Sequence, residues 1–203
     1  MLTEKEFYTL KAIAFETGQT TQRELVEATG YSLGTINKII NDFIGKKYID
    51  SDYKLRSEGN RVLEDYKVRN AIILAAGMTS DNNPIARNIP KGLFIVKGEV
   101  LIERLIKQLK SAGIENIYVV VGFRMEQFFY LEEKYGVRLV PNSTYLSRNN
   151  NGSIYCIRQK LGNSYIVPND EYFETNVFCK YEYNSYYAVV RSESKSKEAF
   201  VRL

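Results

Sequence analysis

The 203-residue sequence predicts an α/β fold in two parts, on three observations. Residues 1–67 carry apolar positions at helical spacing, followed by a short hairpin pattern with a polar tip. Ala71–Ala76 is then an unbroken apolar run, the signature of a strand covered on both faces. Beyond it, strand-like runs alternate with helical stripes, which implies a mainly parallel sheet with right-handed crossovers. The expected domains are 1–67 and 71–203, joined too closely for a long tether.

Each element has its own local reason. Leu2–Glu16 puts Phe7, Leu10, Ile13 and Ala14 on one helical face, and Gly18 ends it. Thr21 followed by Glu24 is a capping box opening a second helix, with Leu25, Val26 and Ala28 inward, and Gly30 makes the turn. Ser32 caps a third helix with Leu33, Ile36, Ile39, Ile40 and Phe43 buried, up to Gly45. Tyr48-Ile49-Asp50 and Tyr53-Lys54-Leu55 read as two strands around Ser51-Asp52, and Ser57–Lys67 reads as a closing helix. In the second part Val100–Ala112 is a helix with Leu101, Leu105, Ile106 and Leu109 inward, stopped by Gly113. Ile117–Val121 is a buried strand, Met125–Tyr135 a helix, Val137–Val140 a strand, Gly152–Lys160 a helix and Tyr165–Val167 a strand. Ligands of such sheets sit beyond the carboxyl ends of the strands, where Gly77 and Asp170 both fall.

Composition narrows the chemistry. There is no histidine, which removes the commonest general base and zinc ligand; any metal would be a hard, oxygen-bound ion. Cys156 and Cys179 are the two cysteines, and with no signal peptide evident they read as reduced thiols of a cytoplasmic protein. No apolar run approaches the roughly 18 residues that suggest a membrane span. Tyrosine is abundant, clustering late at Tyr181, Tyr183, Tyr186 and Tyr187. These rings are either core packing or a pocket for a cationic ligand.

The first part resembles the winged-helix DNA-binding domains of bacterial regulators, above all in TQRELVEATGYSLGTINKIINDF followed by KKYI. That resemblance implies that Thr35, Asn37, Lys38 and Asn41 face the major groove, while Lys46, Lys47, Lys54 and Arg56 meet phosphates. Charge pulls the other way: residues 1–69 hold eleven Lys/Arg and eleven Asp/Glu, whereas strong DNA binders are usually basic. A homodimer could still bind through local patches, and protein contact is the other role open to the segment.

The second part resembles the Rossmann-like nucleotidyltransferase superfamily, and within it bacterial CTP:phosphocholine cytidylyltransferases. The resemblance runs from Ala71 to Arg191 through AIILAAGM, IPKGLF, VLIERLIKQLKSAGIENIYVVVG, LEEKYGVRLVPN, RNNNGSIY and NSYIVPNDEYFETNVF. It implies transfer of a nucleotide from CTP to a phosphorylated small alcohol such as phosphocholine, catalysed by positioning and charge neutralisation. By the same resemblance Leu74, Ala75, Ala76 and Gly77 line the nucleotide, Lys91 neutralises phosphate, Asp170 holds Mg2+, and Tyr172 and Tyr187 face the acceptor. The bland alternative for Asp170 is a strand-end turn residue.

The chain departs from the family at three places. Fixed Gly and Arg positions after the first strand are here Thr79 and Asp81, a β-branched residue and a reversed charge beside the triphosphate, with Arg87 a candidate substitute. Pro168-Asn169-Asp170-Glu171 replaces small residues followed by Asp-Asn. The sequence stops at Leu203, inside the second domain, so that domain reads as incomplete and without its second acidic metal ligand. These departures keep open a second reading: a winged-helix regulator with a degenerate, ligand-sensing nucleotidyltransferase module.

Overall fold

A computed structural model describes residues 1–15, 20–78, 88–148 and 150–188. Gly18, Thr79, Asp81 and Arg87 lie outside the described residues, and so do the expectations placed on them.

The first part folds as α1 (Glu4–Phe15), α2 (Gln22–Thr29), α3 (Leu33–Gly45) and α4 (Ser57–Glu64). The capping box forms as expected: Glu24 N–H donates to Thr21 Oγ1 at 3.3 Å and Thr21 N–H donates back to Glu24 Oε2 at 2.7 Å. Ser32 Oγ accepts from Thr35 N–H at the start of α3. The helices close on Phe7, Leu10, Leu25, Ile36, Ile40, Phe43 and Leu63, all fully buried. The two strands expected between α3 and α4 shrink to one antiparallel bridge, Ile49 to Leu55. The cause is local: Lys47 and Tyr53 both sit at φ 60°, and Asp50 Oδ1 accepts from the N–H groups of Asp52 and Lys54, curling the segment into a turn.

The second part contains β1 (Asn70–Ala75), β2 (Ile95–Val96), β3 (Glu99–Val100), α5 (Leu101–Ser111), β4 (Ile117–Val121), α6 (Tyr130–Tyr135), β5 (Arg138–Pro141), α7 (Asn150–Ile157) and β6 (Ser164–Pro168). Four strands form one parallel sheet in the order β5-β4-β1-β6. Alternation along each strand splits the core into two layers. Ala71, Ile73, Ala75, Val119 and Val121 face α5 and α6 through Leu105, Ile106 and Leu131. Ile72, Ala76, Tyr118 and Val120 face Ile157 of α7.

Leu33 and Ala28, expected inward, are exposed at the ends of their helices, and two local readings in the second part also need correction. Met125–Tyr135 opens as a 3-10 turn, Met125–Phe128, after Arg124 at φ 50°, and is α-helical only from Tyr130. The β2–β3 hairpin was not foreseen. Its strands are two residues long, too short to show a period, and Lys97-Gly98 turns at φ 50° and 84°.

After β6 the chain crosses beneath α5 and returns to the helices. Gln108 Nε2 donates to Phe173 O, and Asn176 Nδ2 donates to Gln108 O. Phe178 enters the core of the sheet domain. Val68 N–H then donates to Lys180 O and Glu182 N–H donates to Tyr66 O, both at 2.9 Å. Tyr181 is buried in the helical core, and Tyr183 packs beside it, stacked 5.9 Å from Tyr66. These two tyrosines are therefore packing residues. Among the described residues no helix is long and apolar enough to cross a membrane.

Candidate active site

The parallel strands end on one rim, which collects most of the sequence-predicted site. Leu74 is half-buried, Ala75 and Ala76 are buried, and Gly77 emerges into solvent. The end of β1 is tied on both sides: Asn169 N–H donates to Leu74 O and Phe123 N–H donates to Ala76 O, each at 3.1 Å. Gly122, after β4, permits the second tie, because a Cβ there would lie 2.8 Å from Ala76 O and 2.7 Å from Tyr145 Cγ. Gly77 differs: a Cβ on it would meet nothing within 4 Å among the described residues, so no described neighbour demands the glycine.

Lys91 begins a 3-10 turn, Lys91–Leu93, after Pro90. Asp170 lies two residues past β6. Their side chains meet across the rim, Nζ to Oδ2 at 3.3 Å, with 41% and 38% of each exposed. A pair this wet contributes at most about 1 kcal/mol, so it can separate readily. Among the described residues no group of three or more His, Cys, Asp or Glu could hold a metal. One exposed carboxylate does fit a magnesium ion that takes its remaining oxygens from phosphate and water.

Tyr172 lies near this rim, with the Arg104 guanidinium 4.9 Å and Lys97 Nζ 5.3 Å from its ring centroid. Cations of the chain itself already lie over the ring. Tyr187 is not brought to it, being 86% exposed.

A feature without an assigned role lies beyond the end of β5. A cavity of about 430 Å³ is lined by Ser147, Arg148, Asn151, Gly152 and Tyr155. Buried Asn142 braces it, donating from Nδ2 to Ser153 Oγ of α7 and accepting on Oδ1 from Thr144 N–H. The stretch RNNNGSIY was its only signal, too polar to read from periodicity.

On the helical part, Asn37, Lys38 and Asn41 are exposed along α3, Thr35 is half-buried beside its cap, and Lys54 and Arg56 are exposed. Asn41 Nδ2 donates to Asn37 Oδ1, and Asn37 Nδ2 reaches Gln22 Oε1. Lys46, expected to meet phosphate, pairs with Asp42 at 2.6 Å and Glu6 at 3.6 Å, with 46% of its side chain exposed.

A family model described as the MobA-like NTP transferase domain matches residues 71–174, just over half of the chain. The choline-phosphate cytidylyltransferase of Streptococcus pneumoniae is 44% identical over 131 residues, covering 64% of this chain and 57% of its own. That of Haemophilus influenzae is 33% identical over 129 residues, covering 63% and 55%. The 2-aminoethylphosphonate cytidylyltransferase of Lancefieldella rimae is 51% identical over 87 residues, covering 42% and 35%. A solved structure of the pneumococcal CTP:phosphocholine cytidylyltransferase superposes with a TM-score of 0.54 at 46% identity, over 56% of this chain and 50% of that one. The chain thus spans about half the length of the curated relatives it matches. These matches lend no support to reading the whole chain as a regulator.

Proposed function

Because the chain belongs to the MobA-like NTP transferase family, we propose that it serves transfer of a cytidylyl group from CTP to a phosphorylated small alcohol such as phosphocholine. The observation that carries the reading is the convergence of Gly77, Lys91 and Asp170 on one rim, with Lys91 and Asp170 in contact. An acceptor phosphate oxygen attacks the α-phosphorus of CTP, the bond to the β-phosphate oxygen breaks, and pyrophosphate leaves. The backbone at Ala76–Gly77 receives the triphosphate, where the missing Cβ of Gly77 allows close approach. Lys91 turns from Asp170 to the phosphates and offsets charge that grows on the departing pyrophosphate. Bound magnesium, held by Asp170, would supply further charge neutralisation. The cavity at Arg148 and Tyr155 is within the size range of small-ligand pockets. The reduced cysteines suit a cytoplasmic setting.

Calorimetric titration of the full chain with CTP and magnesium tests the reading. Wild type should bind, and Lys91→Ala should bind at least about tenfold more weakly, since losing one charge contact of about 1.4 kcal/mol is a factor of ten. No heat from wild type would overturn it.

For residues 1–67 the winged-helix reading rests on helix order and on the exposed amides of α3. A homodimer would present two such faces to DNA, contacted through Thr35, Asn37, Lys38, Asn41, Lys54 and Arg56. Removing the charges of Lys38, Lys54 and Arg56 should weaken duplex binding and flatten its salt dependence. Absence of any mobility shift at low salt removes this role. The division at 67/71 is proposed on the two separate cores, with Tyr181 and Tyr183 contributed back to the first.

A further inference from the structure

We propose that Asn169, clamped on Gly92, is a positioning residue that holds Lys91 at Asp170; this rests on the cytidylyl-transfer reading. Asn169 has no assigned role, and it is tied to the sheet by its N–H bond to Leu74 O at 3.1 Å. Its side chain lies against the backbone of buried Gly92. A Cβ on Gly92 would stand 2.6 Å from Asn169 Nδ2, 3.0 Å from Cγ and 3.1 Å from Cβ. Distances below 3.0 Å do not occur for real Cβ atoms, so the two residues touch only because position 92 lacks a side chain. Backbone freedom does not explain this glycine, since its φ is not positive.

The contact matters because of its neighbours. Gly92 is bonded to Lys91 and Asn169 to Asp170, so the contact between 92 and 169 fixes the backbone positions from which cation and carboxylate reach out. The ion pair cannot hold those loops by itself, being nearly as exposed as it is buried. A close-packed contact can, and it persists when Lys91 leaves Asp170 for phosphate. The clamp therefore fixes where both groups start and keeps each near the α-phosphorus afterwards.

The test is a cycle of Gly92→Ala, Asn169→Ala and the double variant, read by melting temperature, magnesium–CTP affinity and turnover. Gly92→Ala should displace Asn169 and reduce kcat/KM by about tenfold or more, as small misplacements at reacting centres do. Asn169→Ala alone should lower kcat more than it raises KM. The double variant removes the Nδ2 and Cγ conflicts and should recover melting temperature and kcat/KM to the level of Asn169→Ala. A double variant no better than Gly92→Ala overturns the clamp. A melting temperature that falls and recovers while affinity and kcat never change assigns the contact to stability alone and overturns the positioning role. A wild type that neither binds nor consumes CTP removes the cytidylyl-transfer reading and the role with it; the melting-temperature cycle still separates that result from a missing contact.

Discussion

Glu103→Gln should loosen the layer that supports β4. Glu103 lies on α5, its side chain 12% exposed, and accepts three hydrogen bonds from α6: Tyr130 Oη at 2.9 Å, Lys134 Nζ at 2.8 Å and Tyr135 Oη at 2.6 Å. α6 has only six residues and is not a stable helix on its own. Leu131 and this carboxylate anchor it. Hydrogen bonds to a charged group contribute about 1.5–3 kcal/mol each. Lys134 is 53% exposed, so solvent screens its share and the two tyrosines carry most of the effect. Glutamine keeps the shape but loses the charge and one acceptor, a cost of about 2–3 kcal/mol. At this chain length that lowers the melting temperature by about 4–12 °C. Burial pushes the carboxyl up, but the bonds from Lys134, Tyr135 and Tyr130 outweigh it and hold it below the usual carboxylate range. A depressed folded value means the stabilisation is present above the unfolded value and lost as pH falls through the folded one. Thermal unfolding of both proteins from neutral to acid pH should show a gap that is full at neutrality and closes in acid. A gap that persists unchanged at the acid end, or none at pH 7, would refute the argument.

At Gly122, alanine would crowd Ala76 O and Tyr145, costing about 1–3 kcal/mol in overpacking and shifting the end of β1 at which the triphosphate is proposed to bind. Melting temperature and CTP affinity should fall together, and affinity that survives a clear drop in stability would place the nucleotide elsewhere. Thr79→Gly with Asp81→Arg should tighten magnesium–CTP binding by at least about tenfold, because one charge pair at about 4 Å is worth roughly 4 kcal/mol at an effective dielectric near 20, and half of that suffices. An unchanged dissociation constant would mean that this loop does not meet phosphate.

What the sequence disclosed was what neighbouring residues decide. Ile117–Val121 was read to the residue because an all-apolar run between glycine-bounded helices has one interpretation in a parallel sheet. The caps at Thr21 and Ser32 were read because a cap is a contact over three residues. The break at Phe129 was not, since a 3-10 turn and an α-helix share nearly the same apolar spacing over one turn. Gly77 and Asp170 were placed on the rim by the rule for parallel sheets and Lys91 by resemblance to a family, and the meeting of Lys91 with Asp170 over a separation of 79 residues lies beyond any local rule. The packing of Asn169 on Gly92 had no signal at all: one amide and one glycine look like turn residues in isolation. Tyr181 and Tyr183 likewise left two roles open until their ring partners were known, Phe15 for Tyr181 and Phe7 and Tyr66 for Tyr183.

The return of the chain to its own beginning makes the helical unit discontinuous in sequence. Among the described residues its last two rings, Tyr181 and Tyr183, are made more than a hundred residues after Tyr66 completes the rest. During synthesis from the N-terminus the four helices must wait, part-closed, while the whole sheet is laid down. A fragment cut at Lys67 would carry the same vacancy permanently, with Phe7 and Tyr66 facing water where the late tyrosines belong. Sheet and helices are thus both completed by one returning segment, Phe178 filling the sheet core and Tyr181 and Tyr183 the helical one, and an insertion in the crossing beneath α5 would be felt in both cores.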